Sequence, residues 1–185
     1  MFTRNSDMLI GHLSLDPLVR HHCGMREIEV RVALASEWET VRTIRLQALC
    51  ESPEAFGSSL ARESVMDEGT WLGRISSGHW VLAWINGQPC GVAAGVVDRE
   101  SGDHELVGLW VVPDRRGNGV ATALIESIRS WATDLHAETL VLRVVETNMP
   151  AQRLYARFGF VRTGQRAPVT SHPERSEERL RLTLR

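Results

Sequence analysis

The sequence contains no lysine, and all 21 of its basic residues are arginine. Schiff-base enzymes and P-loop nucleotide-binding proteins both need a lysine amine at the functional centre. Lysine-based chemistry of either kind is therefore excluded.

Cysteine is also sparse, since Cys23, Cys50 and Cys90 are its three cysteines. They form no CxxC pair, and the seven histidines form neither an HxxxH nor an HExxH motif. These spacings lack the ligand pairs of a typical zinc site, so we expect no metal. A few dispersed cysteines are typical of a reducing compartment, and we expect a cytoplasmic location.

No run of apolar residues reaches the roughly 18 that a membrane-spanning helix requires. The 21 basic and 23 acidic residues leave a net charge of −2. Without a basic excess, we expect neither nucleic acid nor a membrane as a partner. The length of 185 residues suits a single domain with its own hydrophobic core.

Residues 1–24 differ from the rest of the chain because they show no sustained hydrophobic period and no signal-peptide pattern. A clean alternation begins after Met25. One interpretation is a native start at Met25, with residues 1–24 as a mis-start or a loose, disordered extension. The other is a docked additional segment. In either case, we expect residues 25–185 to form the domain.

Strand and helix patterns alternate along this domain, which indicates an α/β (α+β) fold. We expect a polar loop over 164–178, which is rich in arginine and glutamate. Period-two or continuous apolar runs predict strands at 28–32, 80–85, 90–97, 105–112, 140–145 and 180–184, and Phe160-Val161 opens a further strand. Asn86-Gly87 predicts a hairpin turn between the second and third of these strands. Helical spacing predicts helices from Ser36 to Cys50, with Ser36 as the cap, from Arg62 to Ile75, from Val120 to Leu135 and from Met149 to Phe158.

The segment from Leu109 to Ala121 runs from an apolar strand through a glycine-rich turn directly into a helix. Such a turn leaves backbone N–H groups at the helix N-terminus pointing at one place, where they bind an anion. The segment has no lysine for a P-loop. It also fails the GxGxxG dinucleotide pattern, because Thr122 stands where the third glycine is needed.

Two blocks of sequence carry a family resemblance. Residues 116–121 read R-x-x-G-x-A, and residues 148–160 read N-x-x-A-x-x-L-Y-x-x-x-G-F, with Tyr155 as the single tyrosine of the chain. In this order, the blocks resemble the pyrophosphate loop and the following conserved helix of the GNAT N-acetyltransferase superfamily. The resemblance implies a mixed, mostly antiparallel sheet of six to seven strands. It also implies about four flanking helices and a splay between two central parallel strands.

The same resemblance implies the activity. A member of the superfamily transfers an acetyl group from acetyl-CoA to a primary amine of a small molecule, peptide or protein by direct attack, without a metal. An alternative stays open, namely a catalytically inactive acyl-CoA-binding sensor or interaction module of the same fold. A homodimer is also left open.

The superfamily's site residues are carried over by motif. The resemblance implies that backbone groups of the strand before the loop pair with the pantetheine arm of the cofactor. It also implies that the Val111 N–H polarises the thioester carbonyl. The loop amides bind the pyrophosphate, Asn148 binds the pantetheine, and Tyr155 protonates the leaving thiolate as a general acid. The expected cofactor-binding residues are Leu109, Trp110, Val111, Arg116, Gly117, Asn118, Gly119, Val120, Ala121 and Asn148.

Glu105 is the candidate general base, because its offset from Arg116 resembles that of the catalytic glutamate in the histone-acetylating branch. A solvated carboxylate at the end of a strand is the alternative, and many members recruit a base through water. We expect the adjacent His104 to point to the opposite face of the sheet.

The acceptor site is expected between 49–60 and 164–179, since these variable parts build it in the superfamily. Phe56 lines that pocket or packs within its loop. The acidic residues of the first region suit a cationic amine, although a solvated charged surface is the alternative. These residues are Glu51, Glu54, Glu63 and Glu68.

Overall fold

The computed structural model describes residues 19–23 and 26–184. The described strands are β1 (Val19–Cys23), β2 (Arg26–Val32), β3 (His79–Ile85), β4 (Gln88–Val97), β5 (His104–Val111), β6 (Thr139–Val145), β7 (Val161–Val169) and β8 (His172–Thr183). The described helices are α1 (Trp38–Glu51), α2 (Leu60–Ser64), α3 (Glu68–Ser77), α4 (Val120–Asp134) and α5 (Met149–Arg157). Among them, no helix is both long and apolar enough to cross a membrane.

The strands form one sheet in the order β1-β2-β3-β4-β5-β6-β8-β7. β5 and β6 are parallel, while all other neighbouring strands are antiparallel. The predicted mixed sheet is therefore confirmed. Strand β1 lies within the predicted extension and pairs with β2; residues 1–18 and 24–25 lie outside the described residues.

The parallel ladder between β5 and β6 is short. It contains the pairs His104–Leu140 and Glu105–Val141, and the rest of β5 has no partner on β6. On its other edge, β5 has a bulge against β4, where the register shifts and Gly108 adopts a φ of +67°. A bulge bends its strand, which accounts for the divergence of β5 from β6. This divergence is the predicted splay.

Helices cover both faces of the sheet. Leu124 and Ile128 of α4 are fully buried on one face. Val41 and Ala48 of α1 pack with Trp71 of α3 on the other face. Since each helix buries an apolar stripe at helical spacing, the sheet is held between two hydrophobic layers, and the splay opens at its centre.

The predicted start of the first helix at Ser36 is wrong. Residues Ala35–Glu37 form a 3-10 turn, and α1 begins at Trp38. The Leu34 N–H donates to the Glu37 carboxylate at 3.0 Å, and the same carboxylate accepts a hydrogen bond from Arg31 at 2.7 Å. The capping function therefore belongs to Glu37, because the tertiary contact with Arg31 holds that carboxylate in place.

The helix predicted from Arg62 to Ile75 is two helices. Between α2 and α3, Asp67 has an extended backbone and its carboxylate accepts the Thr70 N–H at 2.8 Å. This cap starts a second helix at Glu68. The break turns α3 onto the sheet, where Trp71 is fully buried.

The polar loop expected over 164–178 is instead the hairpin of β7 and β8. Most β7 residues are exposed or half-buried, and Val169 is the buried one among them. Since neither face of this edge strand covers a core, its sequence carries no hydrophobic alternation. At the turn, the Ser171 hydroxyl donates to the Phe56 carbonyl at 2.6 Å, so the hairpin contacts the loop after α1.

Candidate active site

A cavity of about 1430 Å³ opens where β5 and β6 diverge. The ends of both strands, the loop before α4, helix α5 and the α1–α3 segment line it. The open side also explains why Val107, Gly108 and Leu109 of this apolar strand are only half-buried. All predicted site residues line this cavity except Asn118 and Val120.

The loop before α4 has the geometry of an anion site. Gly117 and Gly119 have φ angles of +78° and +83°, and Gly119 is the N-cap residue of α4. Because the first N–H groups of a helix lack intrahelical partners, those of Val120 and Ala121 are available to an anion. The Val120 side chain is 1% exposed and belongs to the core, while Asn118 bonds back to the Arg116 carbonyl at 3.2 Å.

Arg116 is held by the protein itself. Its Nε donates to the Val111 carbonyl at 2.9 Å, and its Nη2 donates to Glu51 at 2.8 Å. Glu51 also accepts the indole N–H of Trp110 at 3.0 Å. The hydrogen bond from Arg116, with those from Ser52 and Trp110, lowers the pKa of Glu51 to about 2. Sequence reasoning missed this network, because Glu51 and Arg116 are far apart in the chain.

The backbone of β5 presents alternate residues to the cavity. The Val112 N–H donates to the Cys90 carbonyl on β4 at 2.9 Å, and Trp110 pairs with Val92 on the same strand. In an antiparallel ladder the intervening residue faces the other edge, so the Val111 N–H points into the splay. The expected backbone contact of Trp110 is therefore corrected, since its peptide groups face β4.

Helix α5 brings two of the predicted residues to the cavity. Asn148 caps the helix, because its Oδ1 accepts the Ala151 N–H at 3.2 Å. This leaves the Asn148 Nδ2 group for a ligand. Tyr155 lies two turns further on the same face. It is 8% exposed, and its ring contacts Phe160 edge-on at 5.7 Å. Burial raises the pKa of the Tyr155 phenol, which keeps it protonated at neutral pH.

Where β5, β6 and β8 line the cavity, two carboxylates flank one arginine. Arg143 of β6 lies 3.9 Å from Glu105 and 3.8 Å from Glu177 of β8. Burial raises the pKa of Glu105 and of Glu177, and Arg143 partly offsets the effect. Sequence reasoning found Glu105 but missed the other two residues, because only sheet pairing brings them together. His104 instead contacts Trp131 at 5.5 Å on the α4 face, as predicted.

The wall formed by α1, α2 and α3 is not acidic, contrary to expectation. Glu63 is 1% exposed and accepts hydrogen bonds from Arg45 at 2.9 Å and from Arg74 at 2.9 Å. We call these three residues the buried triad; Arg45 and Glu63 are buried, and Arg74 is 30% exposed. Burial opposes ionisation of Glu63, but the two arginines lower its pKa to about 2. The triad therefore carries one net positive charge.

Phe56 lies on the same wall. It is 8% exposed and lines the cavity, and the Arg45 guanidinium lies 4.6 Å from its ring. Both expectations for Phe56 thus describe it in part, since the ring packs within the fold and also borders the cavity.

The fold and the site together define a class of enzyme. An anion-binding helix N-terminus lies at one end of a cleft between splayed strands, and free strand N–H groups follow the cleft towards a phenol and a carboxylate. These features suit an elongated cofactor that bears phosphates and carries a reactive group at its far end.

Comparison with known proteins supports this class of enzyme. The profile described as Acetyltransferase (GNAT) family matches residues 42–160, and the chain belongs to this family of acyltransferases. It is 31% identical over 80 residues to the uncharacterized N-acetyltransferase YobR of Bacillus subtilis, covering 43% of this chain and 30% of YobR. The chain spans less than half the length of the curated relatives it matches.

Solved structures share the fold. An acetyltransferase of the GNAT family from Streptococcus pneumoniae superposes with a TM-score of 0.74 at 18% identity, covering 85% of this chain and 99% of that one. The protein yncA from Salmonella typhimurium, solved with its cofactor acetyl-CoA, gives a TM-score of 0.71 at 18% identity. That match covers 85% of this chain and 94% of yncA.

Proposed function

We propose that this protein transfers an acetyl group from acetyl-CoA to the primary amine of a small molecule or peptide. The observation that carries the proposal is the cleft, which joins the helix N-terminus at Gly119 to Tyr155 and Glu105 along the free edge of β5. The yncA structure, which holds acetyl-CoA, supports the choice of donor.

The residues of the cleft fit such a donor. The N–H groups of Val120 and Ala121 bind the pyrophosphate, and the free edge of β5 pairs with the pantetheine amides. The Asn148 Nδ2 group adds a donor for the same arm. Arg116 positions the end of β5 through its bond to the Val111 carbonyl and is not a direct phosphate ligand in this geometry.

The chemistry follows from the groups around the thioester. The amine lone pair attacks the carbonyl carbon, and the Val111 N–H stabilises the negative charge that develops on the oxygen. Glu105 accepts the proton that the amine loses, directly or through water. When the C–S bond breaks, Tyr155 gives its proton to the departing sulfur.

Thermal unfolding with acetyl-CoA, CoA, ATP and NAD, each alone, tests the cofactor class. A ligand at about 100 times its Kd adds about 2.7 kcal/mol of stability. For a domain of this size, the expected rise in Tm is about 5–10 °C. A rise with acetyl-CoA and CoA alone supports the proposal, and CoA release with a panel of amines then separates an enzyme from an inactive binding module. A rise with ATP or NAD but not CoA contradicts it.

Replacing Gly119 with glutamate is expected to abolish the Tm rise with CoA. The new carboxylate occupies the place of the pyrophosphate, and its charge opposes that of the phosphates. Gly102→Glu is the matched control, because Gly102 also has a positive φ, of +73°, and lies in the open β4–β5 turn. Undiminished CoA binding by Gly119→Glu would show that the loop has been assigned wrongly.

Replacing Glu105 with glutamine tests the base. The raised pKa of Glu105 predicts that kcat/KM falls as the pH drops through a value above the ordinary 4.5, since the base must be ionised. Glu105→Gln should remove this acidic limb and lower kcat by about 10²-fold, the lower end for general-base catalysis. Glu100→Gln, in the exposed β4–β5 turn, is the control. If the pH profile of Glu105→Gln were unchanged, a group other than Glu105 would accept the proton of the amine.

A further inference from the structure

The guanidinium of Arg45 has one nitrogen without a partner. Its Nε and Nη2 donate to Glu63 at 3.1 and 2.9 Å, while Nη1 has no hydrogen-bond partner among the described residues. The side chain is only 7% exposed. A buried donor without an acceptor is costly and therefore uncommon in folded proteins, so the free Nη1 group indicates that a ligand supplies the acceptor.

The Arg45 Nη1 group lies next to Gly108 of β5. A Cβ atom on Gly108 would lie 3.7 Å from Nη1, and Gly108 is the bulge residue of β5, midway between Glu105 and Val111. Arg45 and Gly108 both line the cavity, and Gly108 carries no side chain between the cavity and the guanidinium. Phe56 covers the guanidinium from another side, at 4.6 Å.

The charges of the cavity walls differ in sign. The buried triad has two arginines and one carboxylate. The part of the cavity lined by β5, β6 and β8 instead has Glu105 and Glu177 around a single arginine. Of the other charged side chains that line the cavity, Glu51 is paired with Arg116, and Glu54, Arg62 and Arg157 complete the set. An acceptor with a cationic amine at one end and an anionic group at the other matches this arrangement.

We propose that the acceptor is an amine that also carries a carboxylate, and that the Arg45 Nη1 group hydrogen-bonds the carboxylate while the amine lies between Glu105 and the thioester. The inference rests on the proposed function and narrows its substrate class. A carboxylate makes a charge-assisted hydrogen bond with the guanidinium, whereas the corresponding carboxamide presents a neutral oxygen of similar shape.

Matched pairs of substrates test this proposal with the unmodified protein. The panel contains glycine, β-alanine, 4-aminobutyrate and 6-aminohexanoate, α-amino acids, the carboxamide of each, and simple alkylamines. At least one acid should exceed its carboxamide in kcat/KM by about tenfold to a hundredfold, with the difference mainly in KM. A ratio at or below one for every pair, or no turnover of any acid, overturns the inference. Turnover of alkylamines in that case leaves the proposed function standing, whereas no turnover of any amine counts against both.

Variants assign the effect to Arg45. Removing Arg45 alone leaves Glu63 buried without its partner, so the test uses Arg45→Met together with Glu63→Met, which removes both charges and keeps the volume. The acid-to-carboxamide ratio of this double variant should fall to about one. Arg62→Met, which removes an exposed arginine from the same wall, should keep the ratio. A double variant that folds and keeps the full ratio overturns the assignment to Arg45.

Discussion

Tyr155→Phe is expected to lower kcat for acetyl transfer by about 10²–10⁴-fold, the range for a general acid. The substitution removes the hydroxyl that we propose protonates the departing sulfur. It keeps the ring, which is 8% exposed and packs edge-on against Phe160. The fold and the Kd for acetyl-CoA should therefore change little, and the loss should fall on kcat.

The measurement compares steady-state CoA release with the acetyl-CoA-induced Tm rise of the same variant. Phe160→Leu is the control, because it disturbs the same aromatic contact and leaves the phenol in place. If Tyr155→Phe lost no more rate than Phe160→Leu, the role of Tyr155 would be packing. The raised pKa of the phenol also means that the activity carried by Tyr155 should persist to alkaline pH, because the proton is retained there.

Glu63→Ala is expected to lower the free energy of unfolding by about 3–5 kcal/mol, the range for breaking a buried ion pair from one side. The carboxylate accepts from both Arg45 and Arg74. Its loss leaves Arg45, itself 5% exposed, as a buried charge without compensation. Denaturant unfolding measures the effect, with Glu68→Ala in an exposed position as the control.

The double variant Arg45→Met with Glu63→Met separates the effect of the ion pair from that of packing. It should recover most of the stability lost in Glu63→Ala, because Arg45 no longer remains as a buried charge without a partner and Arg74 is 30% exposed. A double variant no more stable than Glu63→Ala would show that packing, and not the ion pair, explains the loss.

The same carboxylate gives stability an acid dependence. The folded pKa of Glu63 is about 2, against an ordinary 4.5. The unfolded chain therefore binds the proton first as the pH falls. The contribution of Glu63 is complete above pH 4.5 and is lost as the pH falls towards 2. Glu63→Gln should make the free energy of unfolding less dependent on pH in this range. If the dependence stayed equally steep, other carboxylates would be its cause.

The local patterns predicted much of this protein. The glycine-rich turn into α4, the tyrosine-bearing helix α5, and the hairpin at Asn86 and Gly87 each depend on residues close together in the chain. Their backbone conformations follow from those residues directly: Asn86 and Gly87 both have positive φ, as the turn requires. The opposite facing of His104 and Glu105 likewise follows from the two-residue repeat of a strand.

Elements whose pattern depends on distant partners were predicted wrongly or missed. Strand β7 has no apolar face because it lies at the edge of the sheet, so the stretch 164–178 resembled a loop, whereas the 180–184 end of β8 was predicted as a strand. The start of α1 moved because Arg31 holds the Glu37 carboxylate. The break before α3 depends on the cap at Asp67, which a continuous helical period concealed.

The two motif blocks were enough to identify the family, which the family model confirms, and the glycine-rich turn into α4 was predictable because its backbone conformation depends on neighbouring residues. Only the tertiary structure decided the charge of the cavity wall formed by α1, α2 and α3. Glu63 counted as an acidic surface residue in the sequence, yet in the fold it is shared by Arg45 and Arg74, and Glu51 is bound by Arg116. The physical reason is that the net charge of a surface depends on which of its side chains form ion pairs. Ion pairs between separate helices and strands leave no repeating pattern in the sequence.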